Sequence, residues 1–143
     1  KGRERENVVS VPDLGTAVSW LKHREGNILV TTGSKELASF CELKNYRQRV
    51  YARVLPSVES VQMCRNLGYE GRHIIALQGP FSREMNLAMI REYDCRYLVT
   101  KDGGRAGGLE EKLDAASRAG ITAVLIDRPD SGQGISLEEV KKQ

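Results

Sequence analysis

Residues that carry covalent or metal chemistry are scarce in this chain. The three cysteines, Cys41, Cys64 and Cys95, are widely spaced, odd in number and without a CxxC pair. Neither a zinc site nor a disulfide framework is indicated, and a reducing, cytoplasmic (cytosolic) compartment is the expectation. Cys41 and Cys64 fall on the apolar faces of expected helices, where reduced cysteine usually packs. The two histidines, His23 and His73, have no serine or cysteine close by in sequence, so a nucleophilic triad has no support. Both are expected to be structural or exposed. Apolar runs reach only about five or six residues, too short to cross a bilayer, and no signal-peptide pattern opens the chain. The net charge of +3 is small for 143 residues, which argues against DNA or RNA as a partner. No Walker A pattern is present, and no GxGxxG either.

What is present is ordinary soluble-domain composition, 40% apolar and 29% charged, on a chain of single-domain length. Such a domain buries roughly 68–70% of its unfolded surface, enough for a core without staples. The charged lead-in, residues 1–7, reads as a linker, and 1–143 as one domain.

Short β-branched runs alternate with amphipathic segments throughout. Strands are expected at Val8–Val11, Asn27–Thr31, Val50–Val54, His73–Leu77, Arg96–Val99 and Ile121–Ile126. Between them, helical spacing places Leu14, Ala17, Val18 and Leu21 on one stripe, then Leu37, Phe40 and Cys41. Ser57 is the expected N-cap of a helix burying Val58, Val61, Cys64 and Leu67, closed by Gly68. Met85, Ala88 and Met89 are expected inward on the next helix, and Leu109, Leu113 and Ala116 on the one after, which Gly120 ends. A capping box at Ser136 to Glu139 opens a last short helix. This alternation predicts an α/β fold of three layers, with a mainly parallel sheet of about six strands and helices on both faces.

In open parallel sheets ligands bind beyond the carboxyl ends of the strands. Three polar strand-to-helix junctions would therefore share one rim. The first is Thr32, Gly33, Ser34 and Lys35, the second Gly79, Pro80, Phe81 and Ser82 with Asn86 one turn further on. The third is Thr100, Lys101, Asp102, Gly103, Gly104, Gly107 and Gly108. Glycines let the backbone close around an anion, and helix-start amides with nearby cations hold it. Phe81 is suited to stacking on a planar ring. Lys35, Arg83, Lys101 and Arg105 are the cations expected at the rim. Arg47, Arg49 and Arg53 read instead as a solvated basic edge, and Trp20 as core or partly covered surface.

The ordered motifs resemble the carboxyl-terminal half of the precorrin-6A reductase and cobalt-precorrin-6A reductase family. They are Ile28 to Leu37, Arg53-Val54-Leu55-Pro56, Gly79 to Ser82 with Glu84 and Asn86, Thr100 to Gly104, Gly107-Gly108, Glu111-Lys112, Ala115-Ala116 and Arg128-Pro129. The resemblance runs from about Val8 onward. It implies a Rossmann-like domain of an oxidoreductase that uses NADPH or NADH to reduce a double bond of precorrin-6A or cobalt-precorrin-6A in cobalamin biosynthesis. The chain lacks the amino-terminal half of that family and its glycine-rich loop, and Gly103 stands where the family often has serine. The missing amino-terminal domain is thus an expected partner. The proton that accompanies hydride transfer needs an acid or water; Asp102 is the one carboxylate nominated for it, with a structural or capping role as the alternative. The rival reading is a non-catalytic anion- or nucleotide-binding module. A third, an interaction domain, would need a large exposed apolar patch that the helical stripes do not suggest.

Overall fold

The computed structural model describes residues 6–102 and 108–127. Gly103, Gly104, Arg105, Gly107, Arg128-Pro129 and the helix expected from Ser136 lie outside the described residues. Six strands form one sheet: β1 (Val8–Val11), β2 (Asn27–Val30), β3 (Val50–Val54), β4 (Ile74–Ala76), β5 (Cys95–Lys101) and β6 (Thr122–Ile126). Their order is β1-β6-β5-β2-β3-β4, and every pairing is parallel.

The helices are α1 (Leu14–Lys22), α2 (Leu37–Phe40), α3 (Tyr46–Arg49), α4 (Val58–Asn66), α5 (Arg83–Glu92) and α6 (Leu109–Ala119). Strand residues alternate between two cores because side chains alternate across a pleated sheet. Ile28, Val30, Val50, Ala52, Val54, Val99 and Val124 face one way. There they meet Ala17, Val18 and Leu21 of α1, Leu37 and Phe40 of α2, and Cys64 of α4. Leu29, Tyr51, Leu98 and Ala123 face the other way, against Met89 and Ile90 of α5 and Leu113, Ala115 and Ala116 of α6. The three-layer α/β arrangement is therefore the Rossmann-like one, with β2 and β5 at its centre.

That order creates a topological switch. From β2 the chain proceeds outward to β3 and β4, whereas from β5 it proceeds the other way to β6. The connection after β2 runs over one face and α6 over the other, so the chain parts at the carboxyl ends of β2 and β5. Crevices of this kind are where open α/β sheets take ligands.

Local caps follow the sequence. Asp13 accepts from the Thr16 amide (2.8 Å), Ser57 from Ser60 (3.1 Å) and Ser82 from Met85 (3.0 Å). Gly120 closes α6 at φ 74°.

Three details differ from the sequence expectations. The segment after β2 is not one helix but a 3-10 turn (Ser34–Glu36) followed by the short α2 and α3. In α4 the buried positions are Ser60 and Cys64, and Val58 is 85% exposed. In α5 the inward residues are Asn86, Met89 and Ile90; Met85 is 44% exposed and Ala88 lies outside. Both stripes are rotated because a polar residue, Ser60 or Asn86, has a partner inside and takes the position that hydropathy assigns to a neighbour. Among the described residues no helix is long and apolar enough to cross a membrane.

Candidate functional site

The loops after β2, β3 and β4 and the start of α6 enclose a cavity of ≈ 260 Å³ on the carboxyl rim. Thr31, Thr32 and Gly33 form one wall, and Gly79, Pro80 and Phe81 another. Gly108 lies where α6 begins, and Arg53, Asn86 and Lys112 complete the polar lining. Leu55 and Leu77, both more than 40% exposed, sit on its apolar side.

The β2 loop is anchored at the switch. The Thr31 amide and hydroxyl both donate to Val99 O, at 3.0 and 2.8 Å. Among the described residues the neighbouring Thr32 Oγ1 is buried without a hydrogen-bond partner. Gly33 follows at φ 98°, a conformation that side chains resist, and a Cβ there would meet nothing within 4 Å among the described residues. An orphaned hydroxyl beside an open glycine is suited to a polar ligand that approaches the backbone closely.

The sequence-assigned residues divide. Thr32, Gly33, Gly79, Pro80, Phe81, Asn86 and Gly108 line the one cavity. Ser34 turns away toward Ser60 (3.4 Å), and Lys35 is exposed outside the lining. Ser82 caps α5, and Thr100 is fully buried beneath the cavity. Lys101 faces the opposite core and is paired with Glu36 at 2.6 Å, so its charge is already matched. Asp102 continues the ladder through its amide, which donates to Ile126 O at 2.9 Å. Arg83, counted among the rim cations, pairs with Glu84 at 3.1 Å.

Two cations that the sequence reading did not assign to the rim stand inside the cavity. Arg53, read as part of a solvated edge, is only 6% exposed. Its Nη1 donates to Asn86 Oδ1 at 2.7 Å, and its guanidinium lies 4.0 Å from the Phe81 ring centroid. Phe81 thus serves as a platform for Arg53. Burial pushes the guanidinium down to about 10. Lys112 donates from Nζ to Thr100 Oγ1 at 2.9 Å. Burial first, then the nearby Arg53 charge, pushes Lys112 down to about 8. The available signal was the phase of β3: Arg53 follows Tyr51 at the two-residue period, which puts it under α5 instead of at an edge.

Both histidines lie away from this cavity. His73 is buried at the opposite, amino-terminal end of the sheet, with Nδ1 2.9 Å from Val50 O and its ring stacked on Tyr51.

A family model described as precorrin-6x reductase CbiJ/CobK matches residues 1–143. The cobalt-precorrin-6A reductase of Methanothermobacter thermautotrophicus is 52% identical over 83 residues, 58% of this chain and 28% of that protein. The cobalt-precorrin-6A reductase of Priestia megaterium is 35% identical over 140 residues, 94% of this chain and 55% of that protein. Among solved structures, the CobK precorrin-6A reductase superposes with a TM-score of 0.71 at 25% identity, covering 93% of this chain and 52% of that one. The chain thus spans about half the length of the relatives that it matches nearly end to end. With the family model covering every residue and the sheet of a solved reductase reproduced, the chain belongs to the precorrin-6x reductase family.

Proposed function

We propose that this domain is the carboxyl-terminal half of a precorrin-6A or cobalt-precorrin-6A reductase, an enzyme of cobalamin biosynthesis that uses NADH or NADPH to reduce one double bond of the macrocycle. The observation that carries this reading is the cavity at the switch of the sheet, walled by the β2 and β4 loops and holding Arg53 and Lys112. Precorrins carry many carboxylates and nicotinamide nucleotides carry phosphates, so both ligands demand cations and open backbone at such a rim.

A nicotinamide cofactor, when bound, supplies the hydride. The residues present fit a polar or anionic portion of such a ligand, through the orphaned Thr32 hydroxyl and the open approach at Gly33. What the chain itself contributes is binding and orientation, which bring the reacting atoms together at low entropic cost. Pro80 and Phe81 shape one wall and Gly108 the other. Asp102 does not line the cavity, and the described lining presents no carboxyl group. That last observation favours the rival reading, a non-catalytic anion- or nucleotide-binding module.

The two readings separate on turnover. This chain, supplemented with the amino-terminal half of a family member, should consume NADH or NADPH when given precorrin-6A or its cobalt form. Binding of nucleotides without consumption under those conditions would favour the rival.

A further inference from the structure

Arg53 is an expensive residue to bury. An uncompensated charge in a protein interior costs several kcal/mol or neutralises itself, and guanidinium does not readily lose its proton. Buried arginines therefore usually face a carboxylate. Among the described residues, the hydrogen-bond partners of Arg53 are the neutral Asn86 Oδ1 and Met89 Sδ, both through Nη1. Asn86 is fully buried and held in orientation from behind. Its Nδ2 donates to Ser82 O at 2.8 Å, which turns Oδ1 toward the guanidinium. The Phe81 ring supports the guanidinium plane. The remaining donors of the fork have no partner among the described residues, and the residue lines the cavity.

Lys112 enters the same space from α6, held by a neutral hydroxyl, Thr100 Oγ1. Two like charges that share a desolvated cavity repel one another, and packing alone gives no reason to place them together. An oxyanion between them removes the repulsion and offers the guanidinium fork its preferred partner. The cavity's ≈ 260 Å³ is below the usual range for a whole ligand, roughly 300–1,000 Å³, so an arm of the ligand enters and the body stays outside.

We propose that Arg53 and Lys112 form an oxyanion subsite that takes one carboxylate or phosphate arm of the ligand, with Asn86 and Thr100 as positioning residues. The choice between a carboxylate of the macrocycle and a phosphate of the nucleotide rests on the reductase reading; the cation pair itself does not.

The test is calorimetric titration of the chain with three probes: uroporphyrin III as a tetrapyrrole polycarboxylate, NADP⁺, and inorganic phosphate. Lys112→Met and Arg53→Lys should each weaken at least one probe about tenfold or more, as loss of a buried charged hydrogen bond does. Weakening confined to uroporphyrin assigns the subsite to carboxylate, and weakening of NADP⁺ and phosphate assigns it to phosphate. Unchanged affinities in both variants overturn the proposal, as does failure of the unsubstituted chain to bind any of the three. If Arg53→Lys does not fold, Lys112→Met alone decides, since that side chain is only partly buried. Turnover separates this proposal from the reading above. Loss of probe binding in the variants without any reduction of precorrin-6A by the supplemented chain would sink the reductase and leave the subsite. Normal KM values in both variants would do the reverse.

Discussion

Arg53, Asn86 and Lys112 show how a few polar residues can set the character of a site. Asn86 accepts from Arg53 and donates to Ser82 O, so removing its amide strands a buried charge. Asn86→Ala should therefore cost about 2–4 kcal/mol, read from urea unfolding; a loss under about 1 kcal/mol would mean that the network matters little. Lys112 makes a prediction in pH. Its folded value of about 8 lies below the ordinary 10.5, so above about pH 8 the unfolded chain holds more protons and stability rises with pH. Burial pushes the Cys95 thiol up to about 12 from 9.0 and raises Cys64 as well. These act in the opposite sense, because the unfolded thiols ionise first above about pH 9. Unfolding free energies should pass through a shallow maximum near pH 9, and Lys112→Met should remove the rise that leads to it.

At the scale of elements, α5 connects packing to the site. Its N-cap Ser82, its buried Asn86 and the preceding Phe81 all bear on Arg53, so the helix start and the cavity wall are one construction. Ser82→Ala should lower stability by about 1 kcal/mol through the lost cap, measurable as a shift in the urea midpoint. Gly79→Ala acts differently. A Cβ at that position would come within 2.9 Å of the Phe81 ring, which would have to leave its place beneath Arg53. A loss of about 1–3 kcal/mol is expected from this overpacking, with a weaker anion affinity in the same variant. The element expectations failed where the sequence offered Met85 and Val58 as core residues. Hydropathy ranks them above Asn86 and Ser60, but a polar side chain with a partner inside can displace an apolar one by a small rotation of the helix.

At the scale of the molecule, the exposed large apolar residues among those described are Leu55, Val58, Met63, Leu77 and Met85, and two of them reach the cavity. Leu55 and Leu77 line it, Val58 follows on the next helix, and Met85 stands on α5. On the function proposed above, this rim is the face turned toward the other half of the reductase. Leu55→Asp and Leu77→Asp should change the domain's own stability by less than about 0.5 kcal/mol, as surface substitutions do. Association with the amino-terminal half of a family member, followed by sedimentation, should weaken in both; unchanged association would place that contact elsewhere.

The alternation of β-branched runs with 3.6-period stripes was enough to determine six strands, most of the helices between them and a parallel sheet, because these depend on local period and short connections; the segment after β2 broke into a 3-10 turn and two short helices instead. It also led to the expectation that polar strand-to-helix junctions share one rim, since a parallel sheet puts them at the same end; the β2 and β4 junctions and Gly108 line one cavity there. Strand order was not in the pattern; the order β1-β6-β5-β2-β3-β4 decided which junctions are neighbours. The fate of each cation was not there either. Lys101 and Arg83 bear the same charge as Arg53 and Lys112, yet the first two found carboxylates and the second two a cavity. Charge is written in the residue, but whether it is matched depends on which distant side chain the fold brings within about 4 Å.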